Sequence, residues 1–341
     1  MRKAHIAKCA ADGERELVST RIEGIAATEW RLHWKVVLAA FAGMGVASTI
    51  AYSSGLFIEP LEQEFGWSRA QIMSGHSIAA TLAAICAPFM GILVDRKGPR
   101  RIGIAAVITM CVAIAMFSLT GPSIWQWRAL WLPLTLGIIL VQPMVWTAAV
   151  TSLFSAGRGF ALAVTLCGSS VASMIVPKLT ETLIVTLGWR MAWVGLAAFW
   201  LLLALPIIWL FFRGAVDQER AAKDNVSVQT SLPRASVWHS GILTWRFPVL
   251  LVAGVSIALV VVTMVVSVVP VLSASGISRG DATWIAGLVG VTAIVGRLSI
   301  GSLLDRMDGR IIAAICVSLP IVAIMLLIQL PGSLVAASAA V

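Results

Sequence analysis

Charge is scarce in this sequence. Aspartate, glutamate, lysine and arginine make up 12% of its 341 residues, about half of what a water-soluble domain carries. Several other things are missing. No G-x-x-x-x-G-K-[ST] loop is present, so ATP-driven chemistry has no phosphate cradle. No nucleophile–base constellation or redox motif occurs, so an enzyme is not expected, and neither is a cofactor. The five cysteines, Cys9, Cys86, Cys111, Cys167 and Cys316, show no metal-ligand spacing, and four lie in apolar runs as buried thiols. The net charge of +9 would suit nucleic acid. Yet the basic residues sit in short loops between apolar runs, which excludes that partner and makes them a topology signal. A cleavable signal peptide is not expected either, because the first apolar run is too long for one.

What is abundant is apolar length, since 59% of the residues are hydrophobic. Nine runs can cross a hydrocarbon core of about 30 Å at about 1.5 Å per residue. They are Val36–Ile58, Ile72–Val94, Ile102–Leu119, Ala129–Phe154, Gly159–Leu187, Met191–Phe212, Phe247–Ala274, Ala282–Leu304 and Ile311–Leu330. A backbone facing lipid must satisfy its own hydrogen bonds, so these runs are helices, and the fold class is an all-α polytopic membrane bundle. They do not alternate as barrel strands do. With the N-terminus in the cytoplasm, nineteen of the 25 basic residues fall on inner segments. Only Arg69, Arg128, Arg190 and Arg279 fall outside, which orients the chain. Tryptophans near span ends (Trp34, Trp67, Trp127, Trp189, Trp245, Trp284) are expected as interfacial anchors.

The expected organisation is a poorly ordered cytoplasmic tail over 1–35 and a six-span bundle over 36–212. A polar cytoplasmic linker follows over 213–246, then a second bundle over 247–341. That second bundle holds three spans against six in the first, so the chain reads as truncated and transport-deficient as it stands.

Two loops match at an offset of 210 residues. Gly91, Leu93, Asp95, Arg96 and Arg100 recur as Gly301, Leu303, Asp305, Arg306 and Arg310. Basic residues and glycine suit any tight inner turn, but an aspartate at the same place in both copies points to a duplicated six-span unit.

The stretch Gly91–Arg101 resembles the signature loop G-x-L-x-D-R-x-G-x-R of the major facilitator superfamily, with Gly91, Leu93, Asp95, Arg96, Gly98 and Arg100 at its defined positions. The resemblance implies a secondary transporter working by alternating access, a symporter or antiporter in the plasma membrane (the inner membrane if bacterial). It also implies that Gly91, Asp95, Arg96, Gly98 and Arg100, with Gly301, Asp305, Arg306 and Arg310, form a conformational latch. The usual latch partner comes from span eleven. A narrower similarity, to bacterial members of the monocarboxylate and oxalate:formate antiporter families, rests on Gly55–Ile72, Gly188–Trp193 and Gly296–Gly301. It implies a small anionic substrate, a mono- or dicarboxylate, with a proton as coupling ion. Animal monocarboxylate transporters carry an aspartate where this chain has Ala293, and a lysine inside span one that is absent here.

Few ionisable residues fall inside spans. Arg297 costs at least about 2.5 kcal/mol there without a partner or water. Gly287, Gly290, Ile294, Arg297 and Gly301 share one helical stripe, which suits either close packing or a cavity wall. A guanidinium facing a cavity can hold a carboxylate by two parallel bonds; structural pairing is the alternative. Lys178 and Glu181 are spaced to pair with each other or to handle a proton or substrate. His76 suits a helix–helix hydrogen bond or a titrating site. Tyr52, the only tyrosine, either lines the cavity or packs elsewhere. Efflux of hydrophobic or cationic compounds, and a non-transporting receptor on the same fold, are the competing functions. The topology has a direct test. An engineered Ser227→Cys is expected to resist an impermeant thiol reagent applied to intact cells, and labelling from outside would reverse the orientation.

Overall fold

The computed structural model describes residues 2–214 and 279–305, with single positions between 252 and 325; side chains are described over 24–214, Asp95 excepted, and from 290 onward. The expected linker beyond 214 and most of span seven therefore lie outside the described residues, as do most of span nine, Trp245 and the side chain of Trp284. Among the described residues every regular element is helical.

The first helix, α1, runs Arg2–Ser53, so the residues expected as an irregular tail continue the first span as helix. Their alanine, glutamate, arginine and lysine are good helix formers, and the buried half of α1 nucleates the turns before it. A 3-10 turn, Ser54–Phe57, leads into α2 (Ile58–Phe65). Ser68 and Gln71 form a reciprocal capping box that starts α3 (Arg69–Lys97). Gly98 ends α3 at φ 81°, a conformation glycine alone adopts without strain, and Pro99 opens α4 (Pro99–Met116). The glycine of the signature loop thus has a backbone reason to be there.

The fourth span differs from the continuous helix expected over Ala129–Phe154. It is two helices, α5 (Ile124–Leu140) and α6 (Pro143–Thr151). Pro143 lacks an N–H and pushes Gln142 to an extended ψ of 145°, which stops α5. The indole N–H of Trp146 caps the break by donating to Val141 O at 2.9 Å.

Spans five and six form one assigned helix, α7 (Arg158–Phe211), with non-helical geometry at Gly188 (φ 79°, ψ 159°). Its 54 residues extend about 80 Å, more than twice a hydrocarbon core, so Gly188 is where the chain turns back. The next two residues clamp that turn. Trp189 Nε1 and Arg190 Nη1 donate to the Glu64 carboxylate at 2.6 and 2.7 Å, and Arg190 Nη2 donates to Thr120 O at 3.0 Å. From the second half of the sequence, α8 (Arg279–Leu304) matches the expected eighth span closely.

Residues Met1–Ala221 with Ile294–Arg306 make one compact unit, and Ala222–Ala293 with Met307–Val341 make another. The core of the first holds Trp146, Trp193, Phe57 and Phe117, all fully buried, with Phe57 stacked on Trp193 at 3.7 Å. Three tryptophans expected at the lipid interface are instead inside it: Trp67, Trp127 and Trp189 are buried. Their large apolar faces gain more from each other and from Phe65 and Phe117 than from headgroups.

Helix contacts in this unit are close because small residues face each other. A Cβ on Gly168 of α7 would lie 2.0 Å from Phe41 O of α1. Backbone cannot yield there as a side chain can. Gly168→Ala is therefore expected to cost about 1–3 kcal/mol of stability, read as a lowered thermal transition. Gly55→Ala, which meets nothing within 4 Å, should leave the transition unchanged. Equal transitions for both variants would contradict this packing.

Candidate functional site

Three residues of the stripe recognised in the sequence, Ile294, Arg297 and Gly301, lie against α7 in antiparallel order, and Asp305 follows one turn later. Ile294, Arg297, Gly301 and Asp305 are three and four residues apart and share one face. Each meets α7 in turn. Cys167 Sγ lies 4.0 Å from Ile294 O. Arg297 Nη1 reaches Leu166 O, Ser169 Oγ and Ser170 Oγ at 2.6, 2.7 and 2.8 Å. A Cβ on Gly301 would lie 2.3 Å from Ala163 Cβ. The Asp305 carboxylate accepts from the N–H groups of Gly159 and Phe160 at 2.6 and 2.9 Å.

Arg297 is thus compensated by a carbonyl and two hydroxyls. Among the described residues no carboxylate pairs with it. A guanidinium has five N–H donors in a fixed fork. Only Nη1 is engaged here, and Nε and Nη2 make no hydrogen bond among the described residues.

Asp305 sits where a helix needs an anion. The first N–H groups of α7 have no intrahelical acceptor, and neither a capping side chain nor a first-turn acid is present locally. Asp305 supplies acceptors for two of them. A carboxylate in such a place adds about 0.3–2 kcal/mol, the upper end when partly buried. An open cleft of about 340 Å³ lies beside it, lined by Ser155, Arg158, Leu162 and Leu304 among others.

A second carboxylate serves the same helix start. Glu29 of α1 accepts from the N–H groups of Ser155, Ala156 and Gly157 at 3.0, 3.1 and 3.1 Å, and from the Ser155 hydroxyl. The sequence reading missed it. It lies in the stretch taken as a tail, 126 residues from Ser155, and no local pattern announces such a distant cap. Glu29 lies seven residues before the first apolar run, about 10 Å outside it. Burial pushes its pKa up, but the Ser155 hydroxyl and the three backbone N–H groups outweigh that, and the net shift is downward.

The other members of the expected latch scatter. In the first loop copy, Arg96 is exposed at the end of α3 and Arg100 Nη2 donates to Trp209 O at 3.0 Å, tying the loop to the end of α7. A Cβ on Gly91 would meet only Met144 Cε among the described residues, at 3.9 Å. The side chain of Asp95, and Arg306 and Arg310, lie outside the described residues. Lys178 Nζ and Glu181 pair with each other at 2.9 Å, both exposed. His76 stands 4.2 Å from the Trp131 ring, and among the described residues neither its Nδ1 nor Trp131 Nε1 has a hydrogen-bond partner. Tyr52 is exposed near the end of α1 and makes no hydrogen bond to Arg297.

The sequence of residues 36–341 matches the family model of the Major Facilitator Superfamily. The chain belongs to that superfamily. It is therefore a multi-pass membrane protein of a transporter family. Two fungal relatives are similar over parts of it. An MFS-type transporter of Gibberella moniliformis is 28% identical over 178 residues, covering 51% of this chain and 40% of the relative. An MFS-type transporter of Aspergillus fumigatus is 34% identical over 121 residues, covering 35% and 27%. The matches thus span less than half the length of either relative, and both names give a family and no substrate.

The Glu29 contact has a pH signature. Its folded pKa is depressed below the ordinary 4.5. The stabilisation is thus fully present above 4.5 and is lost as pH falls through the folded value. The thermal transition of Glu29→Gln is expected to lie below the parent at neutral pH, with the gap closing below pH 4.5. A gap that stays constant into acid would contradict the assignment.

Proposed function

We propose that this major facilitator chain serves alternating-access transport of a small organic anion, a mono- or dicarboxylate, with Arg297 as anion anchor. The N-terminus and the 213–246 linker face the cytoplasm of the plasma membrane. One observation carries the substrate class: Arg297 is a permanent cation in an apolar span, neutralised by no acid, with Nε and Nη2 unengaged among the described residues. That pair of nitrogens presents the parallel donors a carboxylate accepts. Burying an unpaired charge is unfavourable, so an anion arriving there gains more than it would in water. Asp305 on the α7 start is the latch in this reading, and its removal loosens the closed seam rather than the binding site. Ala293 leaves Arg297 without an adjacent carboxylate to carry a proton, so any coupling proton uses another group; the Lys178–Glu181 pair and His76 are the candidates.

The same three bonds favour a second reading, in which Arg297 is a fixed tie between α8 and α7. Thermal stabilisation by a panel of small carboxylates, with quaternary ammonium compounds for comparison, separates the two. The parent is expected to be stabilised by one or more carboxylates and by no cation. Arg297→Lys keeps the charge and loses the fork, so it should weaken that response markedly, and Arg297→Gln should abolish it. A Gln variant stabilised as strongly as the parent makes the arginine structural. A response to cations alone would favour efflux of cationic compounds.

A further inference from the structure

Glu29 stands outside everything the signature loops explain, and its geometry is unusually complete. Its two carboxylate oxygens receive three consecutive backbone N–H groups, those of Ser155, Ala156 and Gly157. The residue after it does the apolar part of the same job. Trp30 packs against Phe154 at 5.5 Å and Phe160 at 5.4 Å, one on each side of the turn. A Cβ on Gly157 would lie 3.3 Å from Trp30 Nε1 and 3.5 Å from Ala26 Cβ. The extension of α1 before the first apolar run therefore cradles the turn that opens α7. Two residues further on are the N–H groups of Gly159 and Phe160 that Asp305 uses.

We propose that Glu29 is a positioning residue for the Asp305 contact. It fixes the turn at 155–157 in the shape that presents the Gly159 and Phe160 N–H groups, so the cytoplasmic extension of α1 sets how readily the α7–α8 seam opens at its inner end. The physical reason is continuity. Once the N–H groups of 155–157 have acceptors, the chain between them and Gly159 has few torsions left to vary. Without Glu29, three N–H groups seek other acceptors, the turn relaxes, and Asp305 loses the aligned pair it caps. The inference rests on the latch reading of Asp305 but not on the substrate class.

The chain carries its own reporters. Cys167 is buried along the seam, with its Sγ 4.0 Å from Ile294 O, whereas Cys111 is buried in the core on α4. N-ethylmaleimide labelling of the full chain in proteoliposomes, followed site by site by peptide mass spectrometry, reads seam opening at Cys167 and global loosening at Cys111. Glu29→Gln and Asp305→Asn are each expected to speed labelling of Cys167 several-fold while Cys111 stays slow. The double variant should be no faster than the faster single one, because both act on one helix start. Glu29→Asp, which keeps the charge, should label more slowly than Glu29→Gln and supplies the same readout if the Gln variant folds poorly. The proposal fails if Glu29→Gln leaves Cys167 unchanged. It also fails if Cys111 accelerates in parallel, or if the two effects multiply in the double variant. If Asp305→Asn alone changes nothing, the latch reading falls, and the proposal with it; if Asp305→Asn opens the seam and Glu29→Gln does not, only the proposal falls.

Discussion

The turn at 155–157 and the first turn of α7 together present five backbone N–H groups, at Ser155, Ala156, Gly157, Gly159 and Phe160, whose acceptors come from two distant carboxylates. A helix cannot supply those acceptors itself, and the residues before α7 offer no capping side chain. The rest of the seam follows from how this constraint is met. Bringing Asp305 to Gly159 fixes the register of α8 on α7. With that register set, Gly301 falls against Ala163 and Arg297 falls among Leu166, Ser169 and Ser170.

Small residues make the register possible. A Cβ on Gly159 would lie 2.5 Å from Gly301 O, so neither helix could come this close with larger side chains. Closeness in turn lets a short aspartate reach backbone N–H groups on another helix. It also brings two serine hydroxyls and a carbonyl to one guanidinium nitrogen. Dispersion contacts, a helix cap and a solvated charge thus depend on the same approach.

Much of this was legible in the sequence. Apolar runs gave the helices, since backbone in lipid has no other partner for its polar groups. The repeat of Gly91–Arg100 at Gly301–Arg310 singled out Asp305, and helical spacing placed Ile294, Arg297 and Gly301 on one face. Other features were not legible, each for a physical reason. The break before α6 follows from Pro143, but proline occurs inside α3, α5 and α7 without ending them, so its effect depends on neighbours. Trp67, Trp127 and Trp189 sit near span ends, where tryptophan serves lipid headgroups or protein cores equally well; tertiary packing chose the core. Glu29 could not be found by periodicity, because its partners are backbone groups 126 to 128 residues away. Backbone N–H groups carry no sequence signature.

The central claim is that carboxylates from α1 and from the end of α8 hold the start of α7, and amide hydrogen exchange over Ser155–Phe160 tests it most directly. Backbone N–H groups bonded to carboxylates exchange slowly, whereas those of an uncapped first turn exchange as a loop does. The account expects these amides to be protected in the parent. It expects Asp305→Ala to release Gly159 and Phe160, and Glu29→Ala to release Ser155, Ala156 and Gly157 as well as that pair. Exchange in the parent as fast as in a free loop, unchanged by either substitution, would contradict it.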